Sequence, residues 1–131
     1  MSEVNKAKVR RVYDEAFNKG NMAVIDELCA PGFVDHNPSP GQAQGIAALK
    51  ASLSEMRAAI SGFALTVDHI VAEGDLVAAH VTFRGKHTGN LFGLPPTGKD
   101  VIGRISDIVR LQDGKAVERW GVEDMSGVFA A

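Results

Sequence analysis

The spacing at which hydrophobic residues recur along the chain changes near Gly62, and this change restricts the fold more than any other feature. Before Gly62, apolar residues recur at helical spacing. After it they alternate with a period of two, which predicts four long strands at residues 63–72, 76–87, 101–111 and 116–124. Tight-turn sequences at 73–75 and 112–115 predict that neighbouring strands pair antiparallel.

Three helices are predicted before the strands. The first carries an apolar stripe from Val9 to Phe17 and ends at Gly20, the second lies between Asn21 and Pro31, and the third ends at Gly62. Residues 33–36 form a short extended segment, and the prolines in 37–41 make the next residues a loop. We therefore predict one α+β domain spanning residues 1–131. It is a cone-shaped barrel with three helices in the concave face of a curled antiparallel sheet, enclosing an apolar pocket.

Composition and charge restrict the partners of this domain. The formal net charge is -2, so there is no surplus of positive charge for nucleic-acid phosphates or an anionic membrane surface. We expect neither partner. The first residues carry charges where a signal peptide needs an apolar run, which predicts a cytoplasmic location. Cys29 is the single cysteine of the chain, so it forms no internal disulfide and is expected to be a small buried apolar residue.

Asp107 stands out on the apolar face of the third long strand. The other odd-numbered positions from 101 to 111 carry valine, glycine, isoleucine or leucine. A buried carboxylate is costly unless it is paired or neutral. Either a cation lies opposite Asp107 in a structural ion pair, or Asp107 is a perturbed carboxylate in a functional pocket.

The partner of Asp107 depends on the turn at Asp113 and Gly114. A two-residue hairpin places Trp120 opposite Asp107, with Arg119 facing solvent. A three-residue turn with a glycine bulge instead turns residues 119, 121 and 123 inward, with Arg119 opposite Asp107 and Trp120 behind the sheet. The apolar pattern favours the first register.

Other polar residues are candidates for the pocket. His36 lies beside Asp35 at the end of the extended segment, where the two form an acid/base unit or a staple for the proline loop. Tyr13 lies on the buried stripe of the first helix, so it is either core filling or a hydroxyl donor to the pocket. His69, His80 and His87 lack metal-ligand spacing, and we expect no metal site.

Several short runs of sequence point to a known family. They are FNKG at 17–20, FVDH at 33–36, GKHTG at 85–89, FGLPPTG at 92–98, DGK at 113–115 and ERW at 118–120. From about residue 4 to 128 the chain resembles the SnoaL-like polyketide cyclases of the nuclear transport factor 2-like superfamily. The resemblance implies the curled-sheet cone, a homodimer, and no required metal or organic cofactor.

The resemblance also implies site residues. Family cyclases close a ring by an intramolecular aldol step in which a carboxylate moves protons. The position that matches this acid is Gly121, and the one that matches a pocket histidine is Asp107, so the mechanism does not carry over unchanged. A more distant resemblance to ketosteroid isomerase makes Tyr13 and a protonated Asp107 the donors to an enolate, with Asp35 or His36 as base. The expected substrate-binding residues are Phe17, Ile105, Arg119, Trp120, Gly121 and His87.

Two classes of function follow. The first is an enzyme that cyclises, isomerises or dehydrates a small hydrophobic carbonyl compound by proton transfer. The second is a non-catalytic protein that binds a hydrophobic small molecule, favoured by Gly121 at the acidic position. Epoxide hydrolysis and hydroxylation, found in related folds, are further alternatives.

Overall fold

The computed structural model describes residues 2–38 and 44–126. Helix α1 covers Ser2–Arg11 and continues as a π-helical segment, Val12–Phe17, before α2 at Ala23–Leu28 and α3 at Ile46–Ala59. Part of the predicted proline loop, residues 39–41, lies outside the described residues. The third helix is shorter than predicted, because Ile60 already adopts extended backbone and begins a strand, whereas Gly62 lies within that strand.

Five strands form one sheet in the order β1-β5-β4-β3-β2. Strand β1 is Cys29–Asp35, β2 is Ile60–Glu73, β3 is Leu76–His87, β4 is Asp100–Gln112 and β5 is Lys115–Asp124. Neighbours pair antiparallel except β1 and β5, which run parallel. The predicted α+β architecture with a curled sheet is confirmed.

The helices pack against one face of this sheet. Val9 and Tyr13 from the first helix and Met56 from α3 share a buried cluster with strand residues such as Phe83 and Ile105. Leu91, in the loop between β3 and β4, is fully buried in the same cluster, so this loop folds over apolar residues. Cys29 is buried, as predicted, and burial raises the pKa of its thiol to about 11.

A bulge in the β4–β5 hairpin decides which residues face the helices. Asp113 and Gly114 form a two-residue turn, each with positive φ, flanked by the pair Gln112 and Lys115. The register then shifts between Arg110 and Leu111, because the β5 strand contains an extra residue there.

Because of the bulge, the residues of β5 that face inward are not those of the favoured prediction. Asp107 lies opposite Gly121, and Trp120 lies opposite Ile108 on the outer face. The favoured prediction, with Trp120 opposite Asp107, is therefore wrong, although its two-residue turn is right. The inward set of the alternative, residues 119, 121 and 123, is confirmed, but Arg119 lies opposite Val109 rather than Asp107.

No helix among the residues described is long and apolar enough to cross a membrane.

Candidate functional site

Arg119 is the centre of a buried ionic cluster on the inner face of β5. Its Nε and Nη2 atoms each lie 2.8 Å from Asp107 Oδ1. Its Nη1 donates to both carboxylate oxygens of Asp35 at 3.1 Å and to the carbonyl oxygen of Asn37 at 2.9 Å. Glu123 supplies the third carboxyl group, with its Oε1 atom 3.6 Å from Nη2. One cation therefore faces three carboxyl groups.

Strand pairing assembles the cluster. Parallel pairing of β1 with β5 sets Asp35 beside Arg119, and antiparallel pairing of β4 with β5 sets Asp107 beside Gly121. Because side chains alternate along a strand, Arg119 and Glu123 share the inner face with Gly121 between them. The absent side chain at Gly121 leaves the space that the Arg119 guanidinium fills.

Tyr13 joins the cluster from the helical layer. Its hydroxyl donates to Asp107 Oδ2 at 2.6 Å, and its side chain is buried. Burial, with the neighbouring Asp107 charge, raises the pKa of Tyr13 well above its ordinary value of 10.0. Tyr13 is thus a hydroxyl donor at neutral pH. Asp107 accepts hydrogen bonds from Tyr13 and Arg119 in this arrangement, whereas the isomerase resemblance implies that Asp107 donates one.

Burial and the neighbouring charges also shift the pKa values of Arg119 and Glu123. Burial lowers the pKa of Arg119, but the carboxylates of Asp107 and Asp35 outweigh it and hold that pKa above its usual value. Burial raises the pKa of Glu123, and the charges of Asp107 and Asp35 add to the increase, whereas Arg119 opposes it. Arg119 therefore remains a cation, and Glu123 is the carboxyl group of the cluster that gains a proton more readily than usual.

Two cavities meet at this cluster. The first, of about 60 Å³, has polar groups from Asp35, Asp107, Arg119, Glu123 and Ser52. Its other walls are largely apolar and include Phe17, Leu49, Leu53, Met56 and Ile105.

The second cavity, of about 80 Å³, lies on the other side of the cluster and is more apolar. It is lined by residues such as Val12, Phe33, Val109 and Leu111, with Tyr13 beside them. Four residues line both cavities: Phe17, Leu49, Asp107 and Arg119. These side chains separate two small spaces that would otherwise adjoin.

Seven of the residues predicted for the site are therefore brought together. Arg119 and Gly121 lie at its centre, and the other five surround them: Tyr13, Phe17, Asp35, Ile105 and Asp107.

Three predicted residues lie elsewhere. The His36 ring stacks on Trp120 with centroids 4.9 Å apart, and its Nε2 lies 3.0 Å from Glu118 Oε2. Asp35 therefore pairs with Arg119 instead of orienting His36. Trp120 lies on the outer face because of the hairpin bulge. His87 is fully buried, and its Nδ1 is 3.2 Å from Thr97 Oγ1, but it lines neither of the two cavities.

Glu123 is the member of the cluster to which the sequence reasoning gave no role. The signal was its alternation with Arg119 and Gly121, which the bulged register turns inward. Within residues 2–38 and 44–126, no group of three or more histidine, cysteine, aspartate or glutamate side chains is arranged to hold a metal ion. The site is thus an ion-paired, acid-rich patch between apolar walls.

Sequence comparison identifies the family of this chain. The model of the SnoaL-like polyketide cyclases matches residues 7–131. The chain belongs to this family. It is 31% identical over 127 residues to aklanonic acid methyl ester cyclase DauD from Streptomyces sp. (strain C5), covering 92% of this chain and 76% of the relative. It is 31% identical over 118 residues to nogalonic acid methyl ester cyclase from Streptomyces nogalater, covering 87% of both.

Comparison with solved structures agrees with the predicted fold. TsrD from Streptomyces laurentii superimposes with a TM-score of 0.83 at 26% sequence identity, over 95% of this chain and 94% of TsrD. The family resemblance and the fold predicted from sequence are therefore confirmed.

Proposed function

We propose that this protein is a SnoaL-type cyclase that closes a carbon ring in a largely apolar polyketide carbonyl compound, by intramolecular aldol chemistry and without a cofactor. The observation that carries the proposal is the Arg119 cluster, which sets one cation and three carboxyl groups against apolar cavity walls. The cyclase activities of its relatives agree with it.

The cluster supplies both kinds of group that an aldol step needs. A carboxylate takes the proton from the carbon next to a carbonyl, and the resulting enolate oxygen is stabilised by the nearby positive charge of Arg119. Asp107, which accepts a hydrogen bond from Tyr13, holds the guanidinium in place from one side, and Asp35 holds it from the other. Apolar walls strengthen these charge interactions by excluding water.

The proposed substrate is larger than either cavity. Pockets for small organic ligands usually measure about 300–1,000 Å³, whereas the two cavities measure about 60 and 80 Å³. Phe17 and Leu49 lie between them beside the Arg119 cluster, so displacement of these two apolar side chains would open a path between the cavities. We expect the substrate to bind by this displacement.

A direct test is incubation of the purified protein with aklanonic acid methyl ester. An aldol ring closure rearranges bonds without adding or losing atoms, so the product keeps the mass of the substrate and changes its chromatographic retention. Asp107→Asn is expected to lose this conversion. Asp113→Asn, in the hairpin turn, is the matched control because asparagine tolerates positive φ. Conversion that is unchanged in Asp107→Asn would contradict the proposed role of the cluster.

A second candidate function is a non-catalytic binding protein for a hydrophobic small molecule. The observation that favours it is the mutual pairing of Asp107 and Arg119, which engages both groups internally. A ligand that binds with micromolar affinity, and is recovered unchanged after prolonged incubation with the protein, would favour this function.

A further inference from the structure

The SnoaL-like resemblance implies an acid at the position of Gly121, and the structure shows what a side chain there would meet. A Cβ atom at Gly121 would overlap Arg119 Nη2 and would lie 2.6 Å from Asp107 Oδ1. The space for an acidic side chain is therefore already filled by the Arg119–Asp107 pair.

Glu123 is the next residue on the same face of β5. It lies two residues further along the strand, about 6.6 Å from Gly121 at the usual rise per residue. It pairs across the sheet with Ile105, and both line the first cavity. Its side chain is 20% exposed, so water reaches it less than it reaches an ordinary surface glutamate.

Glu123 is also the carboxyl group that Arg119 holds least. The Arg119 guanidinium lies 2.8 Å from Asp107 and 3.1 Å from Asp35, but its contact with Glu123 is 3.6 Å, longer than a hydrogen bond. Asp107 has Tyr13 as a second donor, whereas the more distant Arg119 is the ionic partner of Glu123 among the described residues. Of the three carboxyl groups, Glu123 can therefore most readily leave Arg119 and accept a proton from the substrate.

We propose that Glu123 is the proton-transferring catalytic residue of this protein, in place of the acid that the family resemblance implies at position 121; the inference rests on the proposed cyclase function. Burial and the neighbouring carboxylates raise its pKa, which brings an acid/base group closer to neutral pH.

The proposed step conserves both protons and electrons. The Glu123 carboxylate accepts the proton from the carbon next to a carbonyl, and the electron pair of that C–H bond forms the enolate. The enolate carbon then bonds to a second carbonyl carbon of the same molecule, whose oxygen becomes an alkoxide. Glu123 returns its proton to that alkoxide, so no oxidant, reductant or co-reactant is consumed.

Glu123→Gln tests the proposal, with Glu73→Gln at the exposed end of β2 as the matched control. Two readouts separate this inference from the cyclase function: ring closure of aklanonic acid methyl ester, and protein-catalysed exchange of α-protons of acetophenone in D₂O, corrected for exchange without protein. We expect Glu123→Gln to lower both rates at least about 100-fold, as is usual for loss of a general base, and Glu123→Asp to recover part of the rate. The wild-type rate should rise with pH as Glu123 ionises, and the residual rate of Glu123→Gln should not.

Each combination of results distinguishes the role of Glu123 from the cyclase function. Ring closure that persists in Glu123→Gln would overturn the role of Glu123 and leave the cyclase function standing. Exchange that depends on Glu123 without ring closure would support Glu123 as a base and contradict the cyclase function. A wild-type protein that neither exchanges nor cyclises would overturn both. Thermal unfolding of each variant shows whether a lost rate reflects lost folding.

Discussion

The guanidinium of Arg119 occupies the space that a side chain at Gly121 would need. A Cβ atom there would overlap Nη2 and Cζ of Arg119. Gly121 does not have positive φ, so its backbone would accept other residues. A side chain at this position therefore requires the Arg119 guanidinium to shift away from Asp107.

We expect Gly121→Ala to lower the free energy of unfolding by about 1–3 kcal/mol, the usual cost of overpacking a filled site. The measurement is urea denaturation of the wild type and the variant. Gly32→Ala is the control, because nothing lies within 4 Å of a Cβ at that position in β1. The cost of Gly121→Ala should shrink when Arg119 is replaced by Met, and an equal cost in both backgrounds would contradict the packing explanation.

Replacing Arg119 should destabilise the protein more than replacing an exposed arginine. Arg119→Met leaves Asp107 and Asp35 without their buried cation, and loss of one partner of a buried pair costs roughly 3–5 kcal/mol. Arg110→Met, which breaks contacts of an exposed side chain on the outer face, is the control and should cost much less.

The same urea experiment gives a double-mutant cycle. Asp107→Asn in the Arg119→Met background should cost less than in the wild type, because the partner charge is already gone. Additive costs would show that the two residues do not stabilise each other.

The architecture could be predicted from the sequence because it follows from repeating patterns. Helical spacing before Gly62 and alternation after it require a helical layer and a sheet, and the Asp113-Gly114 turn is a local signal. The boundary between α3 and β2 was misplaced because Ile60 fits the apolar spacing of a helix as well as that of a strand.

The site was less predictable, because it depends on one extra residue in β5. That residue is accommodated by a bulge, which has no strong sequence signal, and it moves Trp120 outward and Glu123 inward. The association of Asp35 with Arg119 depends in turn on parallel pairing of β1 with β5, a contact between residues 84 positions apart. Local patterns do not contain this information.

The Tyr13 hydroxyl is expected to ionise at a higher pH than an ordinary tyrosine. It is the single tyrosine of the chain, so phenolate absorbance near 295 nm reports it alone. Because burial and Asp107 raise its pKa above 10.0, this absorbance should appear at a higher pH in the folded protein than in urea. A folded-state titration at the ordinary pKa would show that the phenol is exposed to water.

The same shift predicts a pH dependence of stability. The folded pKa of Tyr13 exceeds the unfolded one, so its contribution is fully present below about pH 10 and is lost as the pH rises through the folded pKa. Tyr13→Phe removes this component, and its stability should fall less steeply above pH 10 than that of the wild type. Parallel curves would contradict the prediction.

Glu123→Gln should stabilise the protein at neutral pH by roughly 0.5–2 kcal/mol, typical of a substitution that relieves a functional-site charge. The folded pKa of Glu123 is raised above its ordinary value of 4.5, so its contribution to stability is present below that pH and declines as the pH rises through the folded pKa. The advantage of the variant should therefore grow between pH 4 and pH 7. Urea denaturation at several pH values measures this difference in stability. A difference that shrinks over this range would contradict the predicted direction of the pH dependence.

We propose that the protein is a homodimer formed through the outer face of the sheet. Val71, Ala78, Ile108 and Trp120 form one row across β2, β3, β4 and β5, and Val71 and Ile108 are 63% and 44% exposed. An apolar row on the face away from the helices, exposed at Val71 and Ile108, is typical of an association surface. Sedimentation velocity should give twice the chain mass of 13.9 kDa for the wild type and the chain mass for Ile108→Lys. Val4→Lys, on exposed α1, should remain dimeric, and a wild-type monomer at all concentrations would exclude this interface.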